Sequence, residues 1–424
     1  MLLFIIYYLI SPILYLFLLL ISLFNKKIRT LLKQQKKSIK KIEKKLKTDK
    51  KKIIIHAASA GEYEQIKPIL RIIDKNHYFI IITCMSPTIY HSISNNQEAD
   101  IYCYHPFDFP WFAKNFFKLI NPSIYLTTRH DIWPIHLYAA KNMNIKTIII
   151  NANLYQKSKR LKYYSINFTK YIFNLFDLII VPSKNIQNIF KNQLQIDNTH
   201  IINDTRFEQI INRKKKSAKI PELEPIYGKN NIIFGSISNE DLKLFDILKD
   251  SKNIPTLVKE KSSINWVIIV PHEVDLNLIE KIEEKFPDAI RLSNIKNIKY
   301  DNFGILIVDK VGILPELYKY TKIAYVGGGF GKGVHSTTEP LIYNNIVCYG
   351  PNIDLLDEAK EMNKKKCGFI INSAKEIAEI SWQQFTENEC GKTAKEEINS
   401  NINKYIKEKI NSSEKIYQMI KKYA

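Results

Sequence analysis

Cysteine is scarce in this chain of 424 residues, and none of its five cysteines stands at CxxC spacing to another. An odd number of scattered thiols provides neither a zinc-ligand pattern nor a disulfide framework. We therefore expect no metal site, a reducing compartment, and thiols that are buried and unreactive. The cysteines are Cys84, Cys103, Cys348, Cys367 and Cys390.

Three other signatures are missing. No basic stripe is interleaved with aromatic residues in the way that reads single strands, so no nucleic acid is expected as a partner. The spacing of the glycines is neither GxGxxG followed by a distant acid nor GxxxxGK[ST], so we assign neither a dinucleotide fingerprint nor a P-loop, and no cofactor is expected. The chain also lacks an internal repeat and a low-complexity tract.

Charge is abundant and localised at the amino terminus. The net charge is +21, and residues 26–52 hold fourteen Lys and Arg against two acids, which gives +12 in this segment alone. Before it, residues 2–24 are apolar and uncharged, long enough to cross a bilayer as a helix and without a cleavage site. An interfacial helix or hairpin, favoured by Pro12, is the alternative.

The basic block would place the rest of the chain on the cytoplasmic side of the inner membrane, against anionic lipids. We therefore assign residues 1–48 to a membrane anchor with a basic juxtamembrane segment.

From residue 53 onward, short β-branched runs alternate with helical patterns, which predicts parallel sheets covered by helices on both faces. A polar, Lys-rich and Pro-containing segment interrupts this alternation at residues 212–229. The predicted fold class is α/β, with two Rossmann-like domains at residues 49–211 and 230–395 facing a cleft. The linker spans residues 212–229, and a helix at residues 396–424 ends the chain.

The most informative stretch is residues 326–351, which reads as strand, glycine loop, helix and strand. Glycines let backbone N–H groups approach an anion, and a helix amino terminus attracts negative charge. Ser336, Thr337 and Thr338 are good N-caps that can also donate to phosphate oxygens. Glu339 can accept the hydrogen bonds of a ribose, although a capping box with Ser336 explains it equally simply.

Four further side chains in the first half are candidates for chemistry. Glu62 opens a helix after a small-residue loop, where a carboxylate can remove a proton from a hydroxyl; attraction to the helix dipole is the alternative. Asp131 follows the fourth predicted strand and can orient an acceptor or cap a helix. Arg160 and Arg206 are loop cations suited to phosphate or carboxylate, or merely solvated.

In the second half, Pro271 and His272 end a predicted strand, and His272 has no second ligand at metal-site spacing. Gly312 can bring the backbone N–H groups of Ile313 and Leu314 to a nucleotide, or it can form an ordinary turn before Pro315.

Taken together, these segments resemble a known family. Their order is that of 3-deoxy-D-manno-octulosonic acid (Kdo) transferases, and the similarity covers nearly the whole chain. The matching segments are HAASAGEYEQIKPIL (56–70), TCMSPT (83–88), HPFDFPWFAKNFF (105–117), HDIWP (130–134), NANLYQKSKR (151–160), NDTRF (203–207), PHE (271–273), VGILPELY (311–318) and VGGGFGKGVHSTTEP (326–340).

The resemblance implies a GT-B glycosyltransferase that moves Kdo from CMP-Kdo onto a lipid A precursor, lipid IV-A, with inversion and without a metal. It makes Glu62 the general base and assigns the nucleotide to Pro271 and His272, to Gly312 through Leu314, to the glycine loop and to Ser336 through Glu339. Position in the predicted fold adds Asp131 as a second catalytic candidate. The expected substrate-binding residues are Ser59, Gly61, Arg160, Arg206, Pro271, His272, Gly312, Ile313, Leu314, Gly328, Gly329, Ser336, Thr337, Thr338 and Glu339.

This sequence departs from the family at several positions. Arg129 stands where many members have an acid, Asn203 replaces a glycine, Ile313 replaces an acid, and no arginine precedes His272. Three other readings remain open: a UDP-sugar transferase acting on a lipid, a nucleotide-sugar epimerase, and a membrane-tethered binding protein without catalysis.

Overall fold

In the computed structural model, residues 2–245, 264–295, 303–385 and 389–423 are described. The helices are α1 Leu2–Phe24, α2 Lys26–Lys45, α3 Ala60–Ile72, α4 Pro87–Ile93, α5 Pro110–Ile120, α6 Pro134–Asn142, α7 Ile166–Phe173, α8 Lys184–Leu194, α9 Arg206–Lys216, α10 Leu276–Lys285, α11 Leu314–Leu317, α12 Thr338–Ile342, α13 Asp357–Lys364, α14 Ala374–Phe385, α15 Glu389–Lys409 and α16 Ser412–Lys421. The strands are β1 Lys51–His56, β2 Tyr78–Cys84, β3 Ile101–Tyr104, β4 Ile124–Thr128, β5 Lys146–Ile150, β6 Leu178–Val181, β7 Thr199–Ile201, β8 Asn231–Ile237, β9 Trp266–Pro271, β10 Ile290–Arg291, β11 Gly304–Ile307, β12 Ile323–Val326, β13 Ile346–Tyr349 and β14 Gly368–Ile370.

The chain divides into two units, each built on one parallel sheet. Unit 1 comprises residues 1–209 and 410–424, and unit 2 comprises residues 210–409. The strand order is β3-β2-β1-β4-β5-β6-β7 in unit 1 and β10-β11-β9-β8-β12-β13-β14 in unit 2. Both orders reverse direction beside the first strand, as in Rossmann-like folds. The predicted α/β class with two such domains is confirmed.

Isoleucine-rich strands form the centre of each unit because β-branched side chains suit a sheet that is covered on both faces. In β1, the side chains of Ile53 and Ile55 enter one core layer, and the side chain of Ile54 enters the opposite one. The alternation follows from the two-residue period of a strand. The first unit is therefore a three-layer structure, with helices on both faces of its sheet.

Helix α1 packs one of its faces on unit 1. The ring of Phe4 lies 5.1 Å from that of Tyr138 in α6 and 5.3 Å from that of Tyr171 in α7. The hydroxyl of Tyr7 donates to Asp108 Oδ2 at 3.2 Å. The opposite face leaves fourteen large apolar side chains of α1 exposed, so this helix presents an unpartnered hydrophobic surface.

Among the described residues, α1 is the one helix long and apolar enough to cross a membrane, by length and composition. Helix α2 follows directly, with Asn25 as its N-cap, and carries the basic block. Its Gln35 Nε2 donates to the backbone oxygen of His105 at 2.8 Å, which ties the basic helix to the body of unit 1.

Two of the predicted boundaries need correction. Residues 212–229, expected as a linker, include the end of α9 and a 3-10 helix at Pro221–Ile226 whose Leu223 and Ile226 are buried in unit 2. Residues 396–424, expected as one helix, contain the end of α15 and all of α16, which belong to different units. The polar sequences of the two segments predicted a linker and a terminal helix that lie outside the domains. In the structure, a few apolar residues anchor each segment.

Candidate functional site

In unit 1, the candidate site lies where the strand order reverses. Strands β1 and β4 are neighbours there, with Ile53 paired to Ile124. Because ligands of open α/β sheets bind beyond the carboxyl ends of the strands at such a point, the loops after β1 and β4 are the expected location. Glu62 follows the first of these strands, and Asp131 follows the second.

The amino-terminal turn of α3 fixes the carboxylate of Glu62. Its Oε2 accepts the backbone N–H of Ser59 at 2.8 Å, while Ser59 Oγ accepts the N–H of Glu62 at 3.3 Å. The two bonds form a capping box, which holds the Glu62 side chain in one orientation. The residue is 9% exposed, so its carboxylate lies at the boundary between protein and solvent.

Asp131 completes a small acidic cluster beside Glu62. Its Oδ2 accepts the N–H of Ala58 at 3.0 Å and lies 3.0 Å from Nε2 of the buried His56. Burial and the negative charge of Asp131 raise the pKa of Glu62, while its bonds to Ser59 and the nearby His56 act in the opposite direction. A carboxyl group with a raised pKa is a stronger base when it is ionised.

Arg160 lies next to this cluster, in a short 3-10 turn. Its Nη2 donates to the backbone oxygen of His130 at 2.9 Å, and Asp131 contributes to its electrostatic environment. Burial, together with the charges of Arg129 and Arg160, lowers the pKa of His130 to about 4, so that imidazole is neutral near pH 7. The structure thus brings Glu62, Asp131 and Arg160 into one region.

The other two predicted contributors from the first loop are exposed. Ser59 and Gly61 both face solvent, and a Cβ added to Gly61 would meet no atom within 4 Å. Open space above Gly61 leaves room for a ligand at the start of α3.

Arg206 begins α9, at some remove along the chain from the other candidates. Its Nη2 lies 3.9 Å from Asp204 Oδ2, and Asp204 in turn accepts a bond from Gln65 Nε2 at 2.8 Å. Arg206 is therefore connected to α3 through Asp204, one turn beyond Glu62.

A buried aromatic and histidine cluster underlies the site. The ring of His56 lies 4.2 Å from that of His105 and 5.4 Å from that of Trp133. Burial, together with His56 and His136, lowers the pKa of His105 well below its usual range, and its Nε2 lies 2.9 Å from the hydroxyl of Tyr125. A neutral, packed histidine supports the site rather than titrating near neutral pH.

In unit 2, the glycine loop follows β12, again beside the point where the strand order reverses. Asp241 holds this loop, because its Oδ2 accepts the N–H of Gly328 at 3.0 Å and its Oδ1 accepts the hydroxyl of Tyr325 at 2.6 Å. The backbone N–H of His335 donates to the oxygen of Gly327 at 3.1 Å and closes the turn.

Two glycines of this loop are required by geometry. Gly328 has a φ of +86°, a left-handed conformation that glycine adopts without a steric penalty. A Cβ on Gly329 would lie 2.6 Å from the backbone nitrogen of Gly350, which shows how closely the two loops approach.

The hydroxyl groups after the loop lack partners within the described part of the chain. Ser336 Oγ and Thr337 Oγ1 are buried and make no hydrogen bond there. Both hydroxyls stand at the start of a helix, where a hydroxyl group can donate a hydrogen bond to an anion. Thr338 is the first residue of the short helix α12, and its side chain is buried.

The capping box considered for Glu339 is not formed. Helix α12 takes Thr337 as its N-cap, without a side-chain capping bond, so Ser336 does not cap Glu339. Glu339 lies in the first turn of α12 and is partly exposed. The ribose role thus remains a prediction, whereas the competing explanation is wrong.

The remaining candidates of unit 2 border the same loop. The ring of His272, which follows Pro271, stacks on that of His335 at 4.1 Å and 13°. Gly312 has a φ of +84°, and Leu314 begins α11 with Ile313 as its N-cap. A Cβ on Gly235 would lie 3.2 Å from Leu314 Cδ1, so this turn packs against the end of β8.

The sequence motifs assign no role to three residues that the structure places at these sites: His56, Asp241 and His335. His56 directly precedes the predicted loop, so its position was a usable signal. Asp241 precedes Gly328 by 87 positions, and no local pattern connects them. Within the described residues, no group of three or more His, Cys, Asp or Glu side chains could hold a metal ion.

Comparison with known proteins supports a specific family. Residues 31–209 match the family model for 3-deoxy-D-manno-octulosonic-acid transferase (kdotransferase). The chain is 28% identical over 328 residues to the 3-deoxy-D-manno-octulosonic acid transferase of Aquifex aeolicus, covering 76% of this chain and 83% of that protein. The Haemophilus influenzae protein of the same name is 24% identical over 306 residues, 70% of each chain.

Solved structures match the fold. A glycosyltransferase from Rickettsia africae superposes with a TM-score of 0.57 at 14% identity, covering 89% of this chain and 100% of that one. The UDP-GlcNAc 2-epimerase of Neisseria meningitidis gives a TM-score of 0.57 at 12% identity, covering 84% and 99%. At such low identities the superpositions show the GT-B type of fold alone. The sequence matches support assignment of the chain as a 3-deoxy-D-manno-octulosonic acid transferase, which is a glycosyltransferase.

Proposed function

We propose that this enzyme acts in lipopolysaccharide biosynthesis and transfers Kdo from CMP-Kdo to the lipid A precursor lipid IV-A. In this proposal Glu62 is the general base, and the anomeric configuration is inverted. The observation that carries it is the position of Glu62: buried beside Asp131 at the carboxyl edge of the first sheet, with its carboxylate oriented by the capping box.

The proposed reaction moves one proton to Glu62, forms one bond to the anomeric carbon and breaks another. The acceptor hydroxyl gives its proton to Glu62 as its oxygen forms a bond to the anomeric carbon, and the bond from that carbon to the phosphate oxygen of CMP breaks. Asp131 disfavours the negative charge on Glu62 and so raises its affinity for the proton. Proton transfer of this kind contributes roughly 10² to 10⁴ in rate.

Unit 2 supplies the nucleotide-binding groups in this proposal. Ser336 Oγ and Thr337 Oγ1 donate to the phosphate of CMP, and the glycine loop provides backbone N–H groups. Fixed donors of this kind stabilise the charge that develops on the leaving phosphate. His272, stacked on His335, offers a flat aromatic surface, and Glu339 is assigned to the ribose hydroxyls.

The proposed location is the cytoplasmic face of the inner membrane, because a soluble nucleotide sugar and a lipid acceptor must meet at a bilayer surface. The exposed apolar face of α1 and the basic helix α2 supply hydrophobic and electrostatic attraction to anionic lipids.

Replacing Glu62 with Gln tests the base directly. Glutamine keeps the shape and serves the capping box, but it cannot accept the proton. We expect transfer from CMP-Kdo to lipid IV-A, followed by mass spectrometry, to fall by roughly 10² or more while CMP affinity in calorimetry stays within about twofold. A large loss of CMP affinity would contradict this role.

The matched control is Glu64→Gln in the same helix, where Glu64 pairs with Lys67 at the surface. The Glu64→Gln variant should keep both the transfer activity and the CMP affinity of the wild type. Competition by CMP but not by UDP separates the proposed donor from a UDP-sugar donor.

A further inference from the structure

A cavity of about 300 Å³ opens in unit 1, between the start of α6, the Arg160 turn and α7. Its walls are mostly apolar, and α7 supplies Phe168, Ile172 and Phe173. The remaining lining residues are Ile132, Pro134, Lys159, Arg160, Tyr164, Ser165 and Thr169. Nothing in the reaction derived above uses this space.

The charged groups that line the cavity are two cations. Lys159 and Arg160 both line it, and Nη1 of Arg160 is buried without a hydrogen-bond partner among the described residues. Thr169 Oγ1 donates to the backbone oxygen of Arg160 at 2.8 Å, which ties the Arg160 turn to α7. A guanidinium held in this way is suited to a phosphate, which accepts two parallel hydrogen bonds.

The cavity lies beside the candidate base. Arg160 contacts the backbone of His130, the next residue is Asp131, and Asp131 bonds to the loop that carries Glu62. A molecule with its hydroxyl at Glu62 and a phosphate at Arg160 would therefore extend toward the cavity.

The hydrophobic helix α1 reaches the same two helices. Phe4 packs on Tyr138 of α6 and Tyr171 of α7, and Tyr171 directly precedes the cavity residue Ile172. The packed face of α1 thus contacts the two helices that line the cavity, and Tyr164 is 57% exposed among the lining residues. An amphipathic tyrosine at such a place is typical of a boundary between lipid and water.

We propose that this cavity receives one acyl chain of the acceptor lipid while Arg160 and Lys159 bind a phosphate on its sugar. The inference rests on the proposed function and adds to it the feature by which an acylated acceptor is selected. The volume is at the small end for ligand pockets, and its apolar walls suit a hydrocarbon chain and not a sugar.

The test compares two acceptors, lipid IV-A and the same phosphorylated disaccharide with its acyl chains removed. For each enzyme, the ratio of kcat/KM for the acylated over the deacylated acceptor is measured in detergent. Phe168→Gln places an amide in the cavity, and the ratio should fall by at least about tenfold, because burying two methylene groups is enough for that effect.

Two further variants control the experiment. Phe168→Trp fills the cavity with an apolar side chain and should lower the same ratio. This variant still tests the inference if Phe168→Gln fails to fold. Met143→Gln places the same amide in a different cavity of about 290 Å³, lined by Tyr8 and Tyr138 among others, and should leave the ratio unchanged.

An unchanged ratio in folded Phe168 variants would overturn the inference. The inference would also be overturned if the Phe168 variants bound phospholipid vesicles more weakly while their ratio of kcat/KM for the two acceptors stayed the same. The cavity would then hold a membrane phospholipid and not the acceptor. Transfer by the wild-type enzyme to neither acceptor would instead refute the proposed function itself.

Discussion

In the proposed mechanism, Glu62 combines a structural and a chemical task in one side chain. Its carboxylate closes the capping box of α3, and burial together with Asp131 raises its pKa. A capping bond requires the carboxylate of Glu62 to be held in place. Base catalysis requires the same carboxylate to lie near a proton donor and to have a raised affinity for the proton. Attraction of Glu62 to the helix dipole, the alternative considered from the sequence, is therefore compatible with a catalytic role.

The pH dependence of activity follows from the same environment. A base whose pKa is raised loses activity as the pH falls through that raised value, so the acid limb of kcat/KM should lie above the usual range for glutamate. Removing the charge in Asp131→Asn lowers the pKa of Glu62, and the acid limb should shift to lower pH. A shift to higher pH, or none, would contradict the assignment.

Protein stability should show the same ionisation with a defined sign. Because its folded pKa is raised, Glu62 favours folding below its unfolded pKa, and this contribution is lost as the pH rises through the folded pKa. Glu62→Gln should therefore unfold at a higher temperature than the wild type above the folded pKa. The difference should shrink on acidification, as calorimetry at several pH values would detect.

The hydroxyls of Ser336 and Thr337 permit a separation of binding from folding. Neither forms a hydrogen bond among the described residues, so Ser336→Ala and Thr337→Val should leave thermal stability nearly unchanged. Each should weaken CMP binding by roughly tenfold, the effect of one charge-assisted hydrogen bond. Calorimetric titration with CMP checks this, and a loss of stability with normal CMP affinity would assign them a structural role.

At the scale of an element, the glycine loop after β12 is shaped by close backbone approach. A Cβ on Gly329 would lie within 2.6–2.9 Å of three backbone atoms of Gly350, and no side-chain movement relieves a backbone clash. We expect Gly329→Ala to lower the unfolding temperature and to abolish CMP binding. If alanine is tolerated in both measurements, the loop is not as tightly fixed as described.

Gly61→Ala provides the contrast at the other candidate site. No atom lies within 4 Å of the added Cβ, and alanine favours a helix over glycine, so stability should be kept or slightly raised. A reduced affinity for the acceptor in this otherwise intact variant would show that a ligand covers this position.

At the scale of the whole molecule, the basic helix α2 directly follows the helix with the exposed apolar face, α1. Helix α2 exposes Lys33, Lys36, Lys37 and Lys40, whereas Lys41 is committed to the backbone oxygen of Tyr102 at 3.0 Å. Each exposed lysine near an anionic surface contributes about 1 kcal/mol to membrane attraction. In the proposed membrane association, the positive charge of α2 supplements the hydrophobic contact of α1.

Changing these four exposed lysines to glutamine should weaken binding to vesicles that contain anionic lipid by at least about tenfold and reduce its salt dependence. Neutral vesicles are the control, and binding to them should change little. Sedimentation of protein with vesicles at two ionic strengths measures both, and equal loss on neutral vesicles would attribute the effect to misfolding.

The apolar helix α1 illustrates how much of the structure a hydropathy pattern predicts. Its length and lack of charge predicted a helix at residues 2–24, and the structure has that helix. The pattern did not predict that Phe4, Tyr7 and Tyr15 would contact unit 1, because those contacts depend on side chains more than ninety residues away, such as Asp108 and Trp111.

The sequence by itself determined the alternation of strands and helices, the α/β class and the motifs that identify the family, because side-chain periodicity and short spacings are local properties. It missed the short strands β7 and β10, which carry little apolar signal. Tertiary structure decided that Asp131 lies beside Glu62, that Asp241 holds Gly328, and that the hydroxyls of Ser336 and Thr337 are buried without a hydrogen-bond partner in the described part of the chain. Each depends on residues far apart in the chain that only the packed sheets bring within hydrogen-bond distance.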